Sequence, residues 1–258
     1  MLFRSQAVSP NAVELLGASL TITPADTQGP VIQDIRFVST QKEIVSIVLE
    51  VSEELNRVGV ADVHNYVIVM PGKDKKFGTG DDTRLLPKSA SYDAASLTIT
   101  LTPANPLKLD QFVQVGVNGF DKLTDLAGNP LDGNRDGVPG GDFSAIVGRG
   151  TKLSYTDGNG DTVSLTLSKG GTMDVLLGPK GDAQHVRLNG TTPGSALTGT
   201  VTKGKKQGDG ATHLDLISGA AGVKFNLPKP AFQIGRVRSD AVDLLLEADA
   251  LSGLLMQE

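Results

Sequence analysis

The chain has 258 residues with no cysteine, 31 glycines, 4% aromatics and a formal net charge of −5. The missing cysteines exclude disulfides, thiolate metal sites and a cysteine nucleophile together, and interspersed charges of both signs exclude the broad positive field that nucleic acid binding needs. No stretch reaches the roughly 20 apolar residues of a membrane helix, and the start lacks a basic segment followed by an apolar core, so neither a span nor a signal peptide is visible.

Abundant glycine with recurring threonine and valine favours short strands and tight turns, and an all-β fold is expected. The opening Met1-Leu2-Phe3-Arg4-Ser5 is what the tail of a common sequencing adapter encodes, so a truncated reading frame is expected. In residues 1–28 the alternation of Leu16, Ala18, Leu20 and Ile22 reads as a leader strand or the remnant of an upstream domain. Gly29-Pro30 then punctuates the chain, and residues 29–149 are expected to form an antiparallel β-sandwich. Val45, Ile47, Leu49 and Val51 give one strand an apolar face, and strands are expected at 66–70, 97–101 and 112–117. Several half-apolar strands close a core by stacking two sheets.

Past Gly148-Arg149-Gly150 the texture changes, and residues 150–258 are expected to be a second, glycine-rich β domain, either a small sandwich or solenoid-like. Asp157-Gly158-Asn159-Gly160-Asp161 suits a hairpin turn between strands at 153–156 and 163–167. Further strand-like pieces at 173–177, 186–188, 197–201, 213–217 and 223–227 follow at uneven spacing, so no repeat period is fixed. Leu244, Ala248, Leu251 and Leu255 recur at helical spacing and predict a terminal helix from about Ser239.

The most specific local signal lies in residues 131–143, where Asp132, Asn134 and Asp136 alternate ahead of Gly137 and Asp142. Alternating oxygen side chains on a curled loop can converge on a hard divalent cation, and carboxylates gathered without one repel each other, so calcium is expected there. The match to an EF-hand loop is partial, since Phe143 stands where a bidentate glutamate belongs. A weaker set, Asp74, Asp81 and Asp82, shares its loop with Lys73, Lys75 and Lys76, where a solvated excursion with internal ion pairs competes with a metal site. Asp157, Asn159 and Asp161 form a third candidate that a hairpin turn explains without a ligand.

For catalysis the chain offers His64, His185 and His213, each isolated in sequence, with no G-x-S-x-G elbow, phosphate loop or dinucleotide fingerprint. No catalytic residue is expected. The compact basic cluster Lys203-Gly204-Lys205-Lys206 reads as a solvated turn. With no tryptophan and three tyrosines, little surface is available for stacking sugars.

Three stretches carry a family resemblance: residues 48–55 (VLEVSEEL), the hairpin of Ser91-Tyr92-Asp93 with residues 98–103 (TITLTP), and residues 123–131 (LTDLAGNPL). From about residue 31 to 143 the chain resembles the bacterial Ig-like domains of surface-layer and other large exported proteins. The excursion at 77–82 and the Gly-Gly-Asp-Phe ending resemble versions from very large planctomycete-type surface proteins. Leu49 and Val51 stand where a phenylalanine is common in the family. The resemblance implies an Ig-like sandwich in an extracellular or cell-surface chain. It also implies a spacer, display or adhesion module beside neighbouring domains, with cell-surface proteins or polysaccharide as partners and no catalytic residues. The alternative is an accessory, non-catalytic region of an exported hydrolase.

Overall fold

The computed structural model describes residues 25–119, 122–219 and 222–238. The leader alternation at 16–22 and the helix expected from Ser239 lie outside the described residues.

The described chain is built of strands: β1 Ile32–Ser39, β2 Glu43–Val51, β3 Tyr66–Met70, β4 Thr83–Leu85, β5 Pro87–Asp93, β6 Thr98–Pro103, β7 Leu107–Lys108, β8 Gln111–Val117 and β9 Phe143–Gly150, with a single 3-10 turn at Val63–Asn65. There follow β10 Lys152–Thr156, β11 Thr162–Ser168, β12 Thr172–Leu177, β13 Ala183–Asn189, β14 Ala196–Thr202, β15 Thr212–Ser218, β16 Lys224–Asn226 and β17 Phe232–Val237.

The described fold is all-β, as the composition favours. A five-stranded sheet in the order β1-β2-β6-β5, with β7 also on β2, faces the β9-β8-β3-β4 part of an eight-stranded sheet. Every pairing of β1–β9 among themselves is antiparallel. Between the two faces sits an apolar core that includes Ile47, Leu49, Ile68, Ile99, Leu101 and Val115, none with any exposure. The apolar face of β2 differs from expectation at one end: Ile44 is inside and Val45 half-buried, because the pairing with β1 skips Val45 between Ser46 and Ile44.

The eight-stranded sheet does not stop there. Its order is β17-β15-β13-β12-β9-β8-β3-β4, so β9 is hydrogen-bonded to β8 on one side and to β12 on the other. The other half of this sheet covers a second core with the four-stranded sheet β10-β11-β14-β16. From β13 onward successive strands alternate between the two sheets, and β13-β15, β15-β17 and β14-β16 pair in parallel. This part is a flattened coil laid onto a sandwich, combining the two architectures expected for it. Ala183 lies beside Leu214 while Thr212 lies beside Phe232, so successive turns differ in length and leave no clean period.

Candidate functional site

The loop between Leu131 and Phe143 folds on its own side-chain oxygens. Asp132 is buried, and its Oδ1 and Oδ2 accept the amides of Asp136 (3.2 Å) and Gly137 (2.9 Å). Asn134 Oδ1 accepts the Asp136 amide at 3.2 Å, and Asn134 Nδ2 donates to Asp136 Oδ2 at 3.0 Å. Val138 N donates to Asp136 Oδ1 at 2.9 Å, and Gly119 N to Asp142 Oδ1 at 3.2 Å. The loop is tied to the strand entry by the Asp132 amide, which donates to Pro30 O at 2.8 Å, and by Arg135, whose guanidinium donates to Ile32 O.

Among the described residues, the group of three or more acidic or histidine side chains with ligand atoms all within 4.8 Å of one another is Asp26, Glu53 and Asp125; the carboxylates of Asp132, Asp136 and Asp142 do not gather that closely. Asp125 is buried and accepts the Asn129 amide and side chain, each at 2.8 Å. Burial raises the pKa of Glu53, and the charges of Asp125 and Asp26 raise it further. Glu53 and Asp125 stand in two of the segments that carry the family resemblance, but their separation in sequence hides the meeting.

In the loop of residues 71–82 the acids accept hydrogen bonds from the loop itself. Asp81 accepts the Lys73 amide and the Thr79 hydroxyl, each at 2.8 Å, and this hydroxyl chiefly holds its carboxyl below the ordinary value. Asp74 accepts the Lys76 amide at 2.9 Å and Asp82 the Gly78 amide at 2.7 Å. A Cβ on Gly72 would lie 2.0 Å from Asp81 Cγ, so a side chain there would push the Asp81 carboxylate off the Lys73 amide. The expected ion pairs do not form: among the described residues Lys73, Lys75 and Lys76 take part in none, because the carboxylates are engaged by amides.

The third acidic stretch is the most enclosed. Asp157 Oδ1 accepts the amides of Asn159 (3.1 Å) and Asp161 (2.8 Å), which forms the expected turn. Asp161 reaches further: Oδ1 accepts Gly204 N at 2.6 Å, and Oδ2 accepts Asp209 N at 3.1 Å and Gly210 N at 2.7 Å. One carboxylate thus anchors the whole basic turn at 203–210 to the β10-β11 hairpin.

The joint between the two cores contains charges that sequence reasoning missed. Arg149 on β9 and Asp174 on β12 are register partners with 7% and 5% exposure, and Arg149 Nε lies 2.8 Å from Asp174 Oδ1. Neither atom makes an aligned hydrogen bond, so the contact is ionic rather than directed. The same guanidinium donates through Nη1 to Phe37 O on β1, and Arg187 on β13 donates to Asp34 Oδ1 on β1 at 2.7 Å. Two arginines of the shared sheet therefore grip the opposing sheet. Burial pushes the Asp174 carboxyl up to about 6, against the pull of Arg149 and Arg187. Arg149 is legible only as a lone charge between two glycines, which is ordinarily a linker signal.

The histidines stay apart. His64 Nδ1 meets Asp62 Oδ1 at 2.8 Å, and His213 Nε2 meets Asp215 Oδ1 at 3.0 Å, both in exposed pairs. His185 Nε2 lies 2.7 Å from Ser218 Oγ, and burial followed by the Arg187 charge depresses its pKa. The nearby Asp34 carboxylate is held by Arg187 and, at 3.7 Å, by Arg36, so it is not placed to orient the imidazole as a triad acid does.

No helix among the described residues is long and apolar enough to cross a membrane. No family model and no curated protein matches the chain, so the Ig-like resemblance stands on the residues that carry it. Among solved structures the chain is similar to the N-terminal part of the bacterial S-layer protein SbsC, at 14% identity over 65% of this chain and 43% of that one, with a TM-score of 0.33. It is also similar to domains 1-6 of surface layer protein SbsC, at 13% identity over 69% of this chain and 33% of that one, TM-score 0.33. The chain spans less than half the length of either, and at these TM-scores the likeness decides nothing about fold or role.

Proposed function

We propose that the chain is a non-catalytic structural module, of spacer or adhesion type, in a bacterial cell-surface or secreted protein, set beside neighbouring domains of a larger chain. The observation that supports this reading is the sheet shared by both cores and braced to β1 by Arg149 and Arg187. Bending the module between its cores requires breaking the β9-β12 ladder and separating a buried ion pair, so it resists load as one body. Cell-surface proteins or polysaccharide are the partners such a module would meet. Stretching single molecules held at residues 25 and 238 tests it: one cooperative rupture is expected, whereas two independent ruptures at separate forces would overturn it.

Calcium at Asp132, Asn134, Asp136 and Asp142 is the finer part of the proposal. The donor set is all hard oxygen, but each of these side chains already accepts an amide hydrogen, so a cation would take the remaining lone pairs. With Kd of about 10⁻⁴ to 10⁻³ M, 1 mM calcium would add roughly 0.4–1.4 kcal/mol. Calorimetric titration should give a heat that disappears in the Asp132→Ala, Asp136→Ala double variant; equal heats would remove this loop as the site.

A further inference from the structure

A cleft of about 700 Å³ opens between the 71–77 loop, the turn into β8 and the β10-β11 hairpin. Of the apolar residues around it, Phe77 and Ile146 are partly exposed, whereas Phe112, Leu153, Tyr155 and Leu165 are buried in the second core, with the Phe112 and Tyr155 rings edge-on at a centroid distance of 6.0 Å. Lys75, Lys76 and Lys152 also line it, all exposed and none in an ion pair. Asp110 is the one acid among the lining residues, and its Oδ1 is engaged by the amides of Thr151 at 2.7 Å and Lys152 at 2.8 Å. Lys75 is held in the left-handed region at φ 56, a conformation that costs a non-glycine residue on the order of 1 kcal/mol and that fixes where its side chain leaves the loop.

We propose that this cleft binds an amphipathic organic anion: a carboxylate, sulfate or phosphate head on an apolar body. The exposed ammonium groups of Lys75, Lys76 and Lys152 would take the head, and Phe77 and Ile146 with the lysine stems the body. The volume falls in the range of small-molecule sites, and mixed apolar walls with a few convergent donors are the ordinary design of such sites. Lysines on an edge strand such as β10 also discourage pairing with other chains, but Lys75 and Lys76 lie in a loop and on no strand.

The test uses 8-anilinonaphthalene-1-sulfonate, whose emission rises in an apolar site, added to the full chain with its native fold checked by near-ultraviolet circular dichroism. Saturable binding with one molecule per chain is expected, weakened on the order of tenfold in a Lys75→Ala, Lys76→Ala, Lys152→Ala variant, since each exposed charge contributes modestly. A Lys205→Ala, Lys206→Ala control should bind unchanged. Dodecanoate should displace the probe, and oligogalacturonate should not. Undiminished binding in the triple variant, equally tight binding of the neutral analogue N-phenyl-1-naphthylamine, or displacement by oligogalacturonate but not dodecanoate would each overturn the proposal.

Discussion

Asp174 and Asp161 are both covered from solvent, at 5% and 0% exposure, yet the fold moves their acidities in opposite directions. Asp174 lies between two packed cores, where burial raises its pKa to about 6 despite two nearby guanidiniums. Asp161 is covered only by the 203–210 turn, and the amide of Gly204, followed by those of Gly210 and Asp209, holds its carboxyl below the ordinary value. Cover alone does not decide the charge state. The number and aim of the donors does, because a carboxylate surrounded by amide hydrogens is resolvated by the protein.

Removing the cation at the joint should cost the most stability. Arg149→Ala leaves Asp174 buried without its nearest partner and strips Phe37 O of a donor, and a loss of about 3–5 kcal/mol is expected in urea unfolding. Arg149→Met restores packing without charge and should lose less when combined with Asp174→Leu; a double variant as unstable as Arg149→Ala would contradict the desolvation account.

The next effect is in pH. Because the folded pKa of Asp174 is raised from 3.8 to about 6, the folded state holds more protons than the unfolded one across that window. Its contribution is therefore most favourable below about pH 4 and declines as pH rises towards 6, by at most about 3 kcal/mol. Unfolding free energies measured from pH 4 to 7 should fall more steeply in the native chain than in Asp174→Asn, and parallel curves would remove this carboxylate as the cause. Asp161 has the reverse sign: its contribution is present above the unfolded pKa and fades as acid protonates it below that value.

The smallest change is at the loop. Asp161→Ala should free the amides of Gly204, Asp209 and Gly210 and lower the thermal midpoint by roughly 3–8 °C. Hydrogen exchange at those amides should accelerate while β9 and β12 stay protected; unchanged exchange at Gly204 and Gly210 would show that the turn is held by something else.

Much of the strand layout was legible because its physics is local. Leu97, Ile99 and Leu101 alternate with threonines, and the chain places Ile99 and Leu101 in the core as that alternation requires. Acidic loops were legible as loops, since Asp, Asn and Gly at alternate positions specify turns. What their oxygens accept was not, because the amides of Gly204 and Gly210 lie far along the chain from Asp161. The strand β9 was hidden for a different reason. Gly148 and Gly150 look like punctuation, but a Cβ at Gly148 would come within 2.9 Å of Phe112, and one at Gly150 within 2.1 Å of Asp110. Here glycine marks close packing, and a charge between two glycines marks a buried ion pair. β17 escaped notice because Gly235 and Arg236 interrupt its alternation, although it completes the edge of the sheet through parallel pairing with β15.

The position of β9 bears on any attempt to divide the chain. A piece ending at residue 149 would keep the β8-β9 ladder but leave the opposite rim of β9 with the backbone groups that normally meet β12. Such a naked rim is a template for another strand, so the severed half would recruit a second copy of itself or precipitate instead of standing alone.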